Sequence, residues 1–333
     1  TGGDPMGAFQ FNHGRQAEEL IEAGLLTDIT NIAEAEGWKD IVNPPSLLEA
    51  CTVEGRIYCA PVNIHSWQWL WLSHKAYKDA GVAVPTNWDE FVAAAPALEA
   101  AGKLPMAMGQ QGWQQSGAFN VFMASLLPSD IYMSVYGSKD TSVAGGADVA
   151  KVFKAAADAR KMTANSTVQN WNDATNLLIT GQAGGQIMGD WAQGEFAVAN
   201  AVAGQDYSCL PGLGTNPRLS TGGDAFYFPV LKDAAEIAAQ AELAALLLKP
   251  ATQVAFNLKK GSLPVRGDID LSSANDCMQK GLKLLADGDL LPDTDMLITP
   301  DTSNQINDLF TEFFADTSMS NEDAQKRFVD IIA

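Results

Sequence analysis

Aromatic, planar polar and charged side chains recur in this chain in loops where strands are expected to end. They are Gln10, Asn12, His13, Asn63, His65, Trp113, Gln114, Trp191, Asp224 and Lys260. A pyranose packs its apolar face on an aromatic ring, and its hydroxyls exchange hydrogen bonds with planar polar groups. Charged partners such as Asp224 and Lys260 form stronger hydrogen bonds with hydroxyls than amides do. The set therefore favours a site for a sugar.

Each of these residues also has a structural interpretation, which the sequence leaves open. Lys260 could be a cation that stabilises the C-terminal end of a helix. Asp224 follows Gly222-Gly223 and could stabilise a turn. His13 could be a solvated residue at the start of a helix. Residue types alone do not separate these roles from ligand binding.

Trp191 is the most informative of these positions. The segment from Gln186 to Phe196 predicts a short buried strand that runs into a helix through a Gly-Asp-Trp corner. In open α/β sheets, ligands bind beyond the carboxyl ends of strands, where the next helix offers free backbone N–H groups. We therefore expect Trp191 to form the floor of the sugar site.

Motifs of the common catalytic and nucleotide-binding sites do not occur in the sequence. There is no GxxxxGK[ST] or GxGxxG loop, no HExxH helix and no GxSxG elbow. The three histidines, His13, His65 and His74, permit a histidine-based triad without supporting one. Forty acidic residues would furnish a carboxylate pair in any fold, so glycoside hydrolysis stays open as an alternative. We predict a binding protein without turnover, cofactor or metal.

The charge of the chain narrows the class of its partners. Lysine and arginine number 21 against 40 acidic residues, which gives a formal net charge of −19. Nucleic acids and anionic membranes are repelled at long range by such a chain, so a neutral ligand is favoured and no nucleic-acid partner is expected. No apolar run is long enough to cross a bilayer.

The four cysteines form an even set without the spacing of a metal site. Cys51 and Cys59 flank a predicted hairpin with its turn at Glu54-Gly55, so a disulfide across that hairpin is geometrically easy. Four buried, unpaired thiols are the alternative. Disulfides would imply an oxidising compartment such as the periplasm.

The elements that must position these residues alternate between strands and helices. Strands are predicted around Phe9, Met106, Ile187 and Phe226, and an aromatic strand at Trp67–Leu72 whose alternating tryptophans we interpret as core. With 333 residues, two domains are expected. The alternation predicts α/β layers with largely parallel sheets.

Several of these segments together resemble one known family. The segments are Pro61-Val62-Asn63-Ile64-His65, Pro85-Thr86-Asn87-Trp88-Asp89-Glu90, Gly112-Trp113-Gln114, Gly189-Asp190-Trp191-Ala192-x-Gly194-Glu195-Phe196 and Lys260-Gly261-Ser262-x-Pro264-x-Arg266. They resemble the extracellular sugar-binding proteins of bacterial ABC transporters, the family 1 solute-binding proteins, and most closely their periplasmic glucose-binding members. The likeness spans essentially the whole chain.

The resemblance implies a two-lobed α/β fold of the class II type of periplasmic binding protein. Each lobe would be a sheet flanked by helices, with a hinge of several strands and the ligand cleft between the lobes. We expect residues 1–61 with 224–266 to form lobe 1, and residues 62–223 with 267–333 to form lobe 2. The ligand would be a monosaccharide, glucose or a related aldose, delivered by a periplasmic monomer that docks transiently on the ABC permease of the inner membrane. A chemosensory receptor would use the same cleft.

The resemblance also assigns roles to particular residues. Trp191 falls on the stacking position, Asp224 on the acidic hydroxyl partner and Lys260 on the basic one. Gln10 and His13 lie where relatives carry sugar-facing polar residues, and Trp113-Gln114 matches a cleft loop of the second lobe. A family disulfide would join Cys209 to Cys277.

This chain departs from the family pattern in two places. Glucose-binding members carry a histidine in the loop that corresponds to Pro292–Thr299, and here that loop has none. Relatives also begin with a further strand-helix-strand-helix segment, so we expect the first strand-helix segments of lobe 1 to be absent. The chain starts on Thr1 without a signal peptide, which suggests a processed or trimmed amino terminus.

Overall fold

The computed structural model describes residues 5–333, and these fold into two compact units. Unit 1 comprises the described residues up to Ser66 together with Ser220–Ala274 and Pro292–Pro300. Unit 2 comprises Trp67–Leu219, Asn275–Leu291 and Asp301–Ala333. Each unit is therefore built from separate stretches of the chain. Among the described residues, no helix is both long enough and apolar enough to cross a membrane.

Unit 1 contains short helices and two small sheets. Its helices are Arg15–Ala17, Glu18–Glu22, Thr30–Ala35, Trp38–Ile41, Ser46–Glu49, Ala234–Leu247, Pro250–Lys260 and Thr294–Leu297. Its strands are Phe9–Asn12, Thr52–Val53, Arg56–Ile57, Cys59–Pro61 and Asp224–Tyr227. The last of these lies in the middle of a three-stranded sheet, antiparallel to Phe9–Asn12 on one side and to Cys59–Pro61 on the other. This register places Asn12 opposite Asp224, so residues from distant parts of the sequence meet at one strand end.

The hairpin between Cys51 and Cys59 forms as predicted. Thr52 pairs with Ile57, and both turn residues, Glu54 (φ 50°) and Gly55 (φ 77°), adopt left-handed backbone conformations. Positive φ at both central residues defines the type I′ turn, whose twist matches that of two-residue hairpins. The structure contains the disulfide across this hairpin, and a second disulfide joins Cys209 to Cys277.

Unit 2 is built around a four-stranded sheet. Its strands are Trp69–Ser73, Leu104–Met106, Ala183–Ile187 and Tyr207–Pro211, with the short strands Leu219–Ser220 and Leu290–Leu291 outside this sheet. Its helices are His74–Ala80, Trp88–Ala100, Gly112–Leu126, Ser129–Tyr136, Thr141–Ala144, Ala147–Met162, Trp171–Ile179, Ala192–Val198, Gly212–Gly214, Asp276–Asp287, Pro300–Ala315 and Asn321–Ile332. The helix Trp88–Ala100 packs closely on the sheet at Gly185. A Cβ added at this glycine would lie only 2.5 Å from the ring of Phe91. The strand can therefore carry no side chain there.

The aromatic strand predicted at Trp67–Leu72 is confirmed as core in its central part. Trp69 and Trp71 are fully buried and stacked, with ring centroids 5.7 Å apart. The indole nitrogen of Trp71 donates to the carbonyl of Met188 at 2.8 Å. Trp67 lies just before the strand and is only half-buried.

The expectation of largely parallel sheets is wrong. In the main sheets of the described residues, only Leu104–Met106 and Ala183–Ile187 run parallel, and the other neighbouring strands are antiparallel. A parallel pair needs a crossover connection, usually a helix, between its two strands. Most strands that meet here come from stretches far apart in sequence, so no single crossover helix fixes their direction.

The limits of the units differ from the predicted lobes at their ends. The segment after Pro61 stays with unit 1, because Val62 N donates to Asp224 O at 3.0 Å and His65 N donates to Gly222 O at 2.9 Å. The loop Pro292–Pro300 also belongs to unit 1. Its attachment includes a hydrogen bond from Asn12 Nδ2 to Asp295 Oδ2 at 2.7 Å.

Candidate functional site

Asp224 is the centre of a hydrogen-bond network in unit 1. Its side chain is almost fully buried and lies at the start of the central strand. Gln10 Nε2 donates to Oδ1 at 2.5 Å, while Asn63 Nδ2 at 2.9 Å and Lys260 Nζ at 2.7 Å donate to Oδ2. His65 Nε2 lies 3.0 Å from Oδ2. We refer to Gln10, Asn63, His65, Asp224 and Lys260 as the Asp224 cluster.

Backbone contacts hold the members of this cluster in place. Asn63 accepts a hydrogen bond from Asp224 N through its Oδ1 at 2.8 Å, so both ends of its amide are bound to Asp224. Lys260 is the last residue of the helix Pro250–Lys260, which ends at Gly261 in a left-handed conformation (φ 88°). The chain turns there, and the ammonium group of Lys260 reaches the carboxylate of Asp224.

The surroundings of Asp224 keep its carboxyl group ionised. Burial on its own would raise the pKa of Asp224, but the hydrogen bond and charge of His65 and the charge of Lys260 outweigh this effect. The pKa of Asp224 is therefore held well below its usual range. At neutral pH the cluster combines a buried anion with an ammonium donor, an arrangement that can accept hydrogen bonds from hydroxyl groups and donate hydrogen bonds to them.

His13 lies beside the cluster in an unusual state. Its side chain is 1% exposed, and neither ring nitrogen has a hydrogen-bond partner among the described residues. Burial lowers the pKa of His13 to about 4, although the charge of Asp224 acts in the opposite direction. Gly223 permits this packing, because a Cβ there would lie 2.2 Å from the carbonyl oxygen of Asn63 and 3.0 Å from His13 Nε2.

Replacing His13 by leucine is expected to make the unfolding free energy less sensitive to acid. The folded state lowers the pKa of His13 from 6.5 to about 4, so the unfolded chain binds this proton more readily. The contribution of neutral His13 to the free energy of unfolding is thus fully present above the unfolded pKa of 6.5. It is lost as the pH falls from 6.5 towards about 4. Between about pH 7.5 and about pH 5, the loss should be smaller by about 2 kcal/mol in His13→Leu than in the wild type.

Urea denaturation of the two proteins at both pH values, without ligand, measures this difference. Asp293 titrates in the same range, since burial and the charge of Asp295 raise its pKa to about 7. A carboxyl group with a raised pKa increases the free energy of unfolding as the pH falls, which is opposite to the effect of His13. Both proteins contain Asp293, so its contribution cancels in the difference between them. Equal acid sensitivity of wild type and His13→Leu would contradict the buried neutral state of His13.

Three tryptophans form a cluster in unit 2. Trp191 precedes the helix Ala192–Val198 and is half-buried, and its ring meets Trp67 edge-to-face at 4.8 Å. Trp67 in turn meets Trp113 edge-to-face at 5.6 Å. Glycines make room for two of the rings, since a Cβ at Gly189 would lie 2.1 Å from the ring of Trp191 and one at Gly117 would lie 2.6 Å from Trp67. We refer to Trp67, Trp113 and Trp191 as the tryptophan cluster.

Gln114 uses its side-chain amide for contacts with neighbouring loops of unit 2. It is buried, its Oε1 accepts from Gly109 N at 3.0 Å, and its Nε2 donates to Gln111 Oε1 at 3.1 Å and Gln169 O at 3.3 Å. Both ends of its amide are thus used to hold the surrounding loops. Trp113 donates from Nε1 to Gln111 Oε1 at 3.0 Å and remains half-buried.

The structure groups most of the predicted site residues and adds others. Gln10, Asn63, His65, Asp224 and Lys260 come together in unit 1, while Trp113 and Trp191 come together in unit 2. Asn12 lies opposite Asp224 in the sheet, but its side chain binds Asp295 instead. Trp67 was not among the predicted site residues, although it stands two residues before the buried Trp69 in the same alternating pattern.

The acidic pair in the loop Pro292–Thr299 was also missed. Burial raises the pKa of Asp295, and the hydrogen bond from Asn12 offsets only part of this effect. Burial and the charge of Asp295 raise the pKa of Asp293. Gly222 lies against this loop, because a Cβ there would come within 2.9 Å of the Asp293 side chain. In place of the family's histidine, this loop therefore brings two carboxyl groups next to the strand that begins at Asp224.

The chain belongs to the family described as bacterial extracellular solute-binding protein, which matches residues 2–254. This result confirms the family resemblance expected from the sequence, and the family is one of binding proteins rather than enzymes. Similar relatives include probable sugar-binding periplasmic proteins of Brucella melitensis (35% identity over 271 residues) and Rhizobium meliloti (34% over 271 residues). These matches cover 81% of this chain but only 63% and 64% of the relatives. A xylose/arabinose-binding protein of Haloferax volcanii is 24% identical over 328 residues, covering 93% of this chain and 68% of the relative.

Solved structures of solute-binding proteins share the fold. A chitin oligosaccharide binding protein superposes with a TM-score of 0.81 at 20% identity, covering 99% of this chain and 84% of the other. A bacterial solute receptor with a preference for β-D-galactopyranose gives 0.80 at 20% identity, with coverages of 98% and 84%. Maltose-bound MalE3 of T. maritima gives 0.77 at 18% identity, with coverages of 99% and 84%. At these identities the likeness confirms the predicted α/β solute-binding fold and carries nothing about the ligand.

Proposed function

We propose that this protein binds a sugar in the periplasm and delivers it to the permease of an ABC importer. Membership of the solute-binding family and the names of the periplasmic relatives support this proposal. The observation that carries it is the Asp224 cluster, in which a buried, ionised carboxylate is surrounded by amide and ammonium donors. The protein would act as a monomer that docks transiently on the permease.

The chemistry of the Asp224 cluster fits a neutral polyhydroxylated ligand. The charges of Asp224 and Lys260 offset one another within the ion pair that they form. A hydroxyl group can donate to a carboxylate and accept from an ammonium at the same time, and Asp224 and Lys260 offer both partners. We therefore propose that Asp224, Lys260 and Gln10 exchange hydrogen bonds with sugar hydroxyls, with Asn63, His65 and His13 as further polar groups of the site.

The tryptophan cluster of unit 2 offers an aromatic surface suited to a sugar ring. The face of a pyranose that carries axial hydrogens is apolar, and aromatic rings are the side chains that pack best on such a face. The contact with Trp67 and the close approach of Gly189 fix the ring of Trp191. A fixed ring loses little conformational entropy when a ligand stacks on it. We propose Trp191 as the stacking residue, with Trp113 as a second aromatic contact.

Within the sugars, we propose a monosaccharide, glucose or a related aldose. This choice rests on the resemblance of the Trp191, Asp224 and Lys260 segments to those of glucose-binding proteins. The carboxyl groups of Asp293 and Asp295 in the loop where those proteins have a histidine would change which hydroxyls are recognised. The identity of the aldose is therefore the property that we expect to differ from those relatives.

Calorimetric titration of the purified protein with glucose, galactose, mannose, xylose and maltose tests the proposal. At least one of the four monosaccharides should give saturable heat at one site per chain, with maltose weaker than the best of them. Aryl glycosides incubated with the protein should stay intact. No heat with any sugar would refute sugar binding, and tighter binding of maltose would refute the choice of a monosaccharide.

A further inference from the structure

A serine and a histidine outside both clusters are placed for nucleophilic chemistry. In unit 2, His74 Nε2 lies 2.6 Å from Ser208 Oγ, and His74 Nδ1 lies 2.8 Å from the carbonyl oxygen of Gln205. His74 is the first residue of the helix that follows the strand Trp69–Ser73, and Ser208 lies on the adjacent strand Tyr207–Pro211. A base bonded both to a hydroxyl and to a third group that orients it is the arrangement that activates serine nucleophiles.

The carbonyl of Gln205 determines which nitrogen of His74 carries the proton. A carbonyl oxygen can only accept a hydrogen bond, so Nδ1 must be the donor in the contact with Gln205. In the neutral ring, Nε2 is then an acceptor with a free lone pair. The short contact with Ser208 is therefore a hydrogen bond from the hydroxyl to Nε2, and the proton that must leave Ser208 already points at its acceptor.

The backbone around this pair is fixed by several hydrogen bonds. His74 N donates to Asp206 O at 3.0 Å, and Gly204 N donates to Tyr207 O at 2.8 Å, which holds the turn that presents the Gln205 carbonyl. Ser208 is paired with Leu72 in the antiparallel ladder. Both side chains are only partly buried, so a small electrophile can reach the hydroxyl from solvent.

We propose that Ser208 and His74 form a nucleophilic pair that accepts an acyl group from activated carboxylic esters. Ser208 Oγ attacks the ester carbonyl carbon while its proton passes to His74 Nε2. The tetrahedral intermediate then expels the alcohol, which takes up that proton, and the acyl group remains on Ser208 as an ester. One ester bond forms for each one broken, and no oxidant, metal or further reactant is required. The site makes one surface serine a specific point of covalent modification, independent of sugar binding.

Exposure of the full chain to p-nitrophenyl acetate tests this site. We expect a burst of about one p-nitrophenolate per chain and an acetyl group on the peptide that contains Ser208, located by mass spectrometry. Ser208→Ala should remove both while leaving the melting curve and the calorimetric titration with sugar unchanged. Ser142→Ala, which changes an exposed serine on the helix Thr141–Ala144 of the same unit, should retain the full burst.

His74→Ala separates activation of Ser208 from a structural role of the histidine. Loss of a positioned base should slow acetylation of Ser208 by about a hundredfold or more, since general-base catalysis contributes about 10²–10⁴-fold. Added imidazole should restore part of the rate in His74→Ala, which a structural defect would not allow. Acetylation confined to lysines, a burst that persists in Ser208→Ala, or no rescue by imidazole would each overturn the proposal.

Discussion

Replacing Asp224 by asparagine is expected to weaken sugar binding by at least about a hundredfold, because a hydrogen bond to a charged group contributes about 1.5–3 kcal/mol and more than one depends on this carboxylate. The variant keeps the shape of the side chain but loses its charge. Its new amide nitrogen would face donors already directed at this position from Gln10, Asn63 and Lys260. Calorimetry with the best sugar of the panel measures the loss of affinity.

Asp287→Asn is the matched control for this substitution. Asp287 also pairs with a lysine, Lys283, at 2.5 Å, but on an exposed helix surface where such pairs contribute about 0–1 kcal/mol. The control should bind sugar as the wild type does. Asp224→Asn should also lower the free energy of unfolding by about 1–3 kcal/mol, because buried donors lose their acceptor. Wild-type affinity in Asp224→Asn would show that the Asp224 cluster is only structural.

Replacing Trp191 by alanine is expected to abolish measurable sugar binding while changing the melting temperature little. The ring is half-buried, and the strand before it and the helix after it are held by their own hydrogen bonds. What the variant loses is chiefly the aromatic face on which a pyranose would stack. Trp191→Phe keeps a smaller aromatic face and should retain part of the affinity. Calorimetry and thermal melts of both variants provide the two measurements.

Trp71→Ala is the control that measures how much stability is lost when a core tryptophan of the same unit is removed. Trp71 is fully buried, stacks on Trp69 and donates to the carbonyl of Met188, so its removal should cost about 3–5 kcal/mol. Trp191→Ala should therefore melt much closer to the wild type than Trp71→Ala does. An equally large loss of stability in Trp191→Ala would identify Trp191 as a core residue rather than a ligand-binding one.

Residues of the candidate site could be selected from the sequence where local structure is enough. Trp191 follows a buried strand, Asp224 follows a pair of glycines and Lys260 ends a helix before a glycine, and each of these signals lies within a few residues. The hairpin turn at Glu54-Gly55 was predictable for the same reason. The tryptophans at alternating positions also indicated correctly that Trp69 and Trp71 are core.

Contacts between distant segments could not be predicted in this way. The network at Asp224 joins residues 214 and 161 positions away in the chain, and only the folded sheet brings them together. The antiparallel strand directions follow from such long-range pairing. Trp67 was missed because its place in the alternating pattern suggested core, while the structure leaves it beside Trp113 and Trp191. Asp293 and Asp295 have no local signal at all, since many acidic residues occupy loops.

A crystal structure of the protein with the tightest-binding sugar of the calorimetric panel is the most direct test of the proposed site. We expect density for a pyranose with one face against the ring of Trp191 and hydroxyl groups within hydrogen-bond distance of Asp224 and Lys260. Density for the sugar at any other place, with Trp191 and Asp224 making no contact to it, would contradict the proposed binding site.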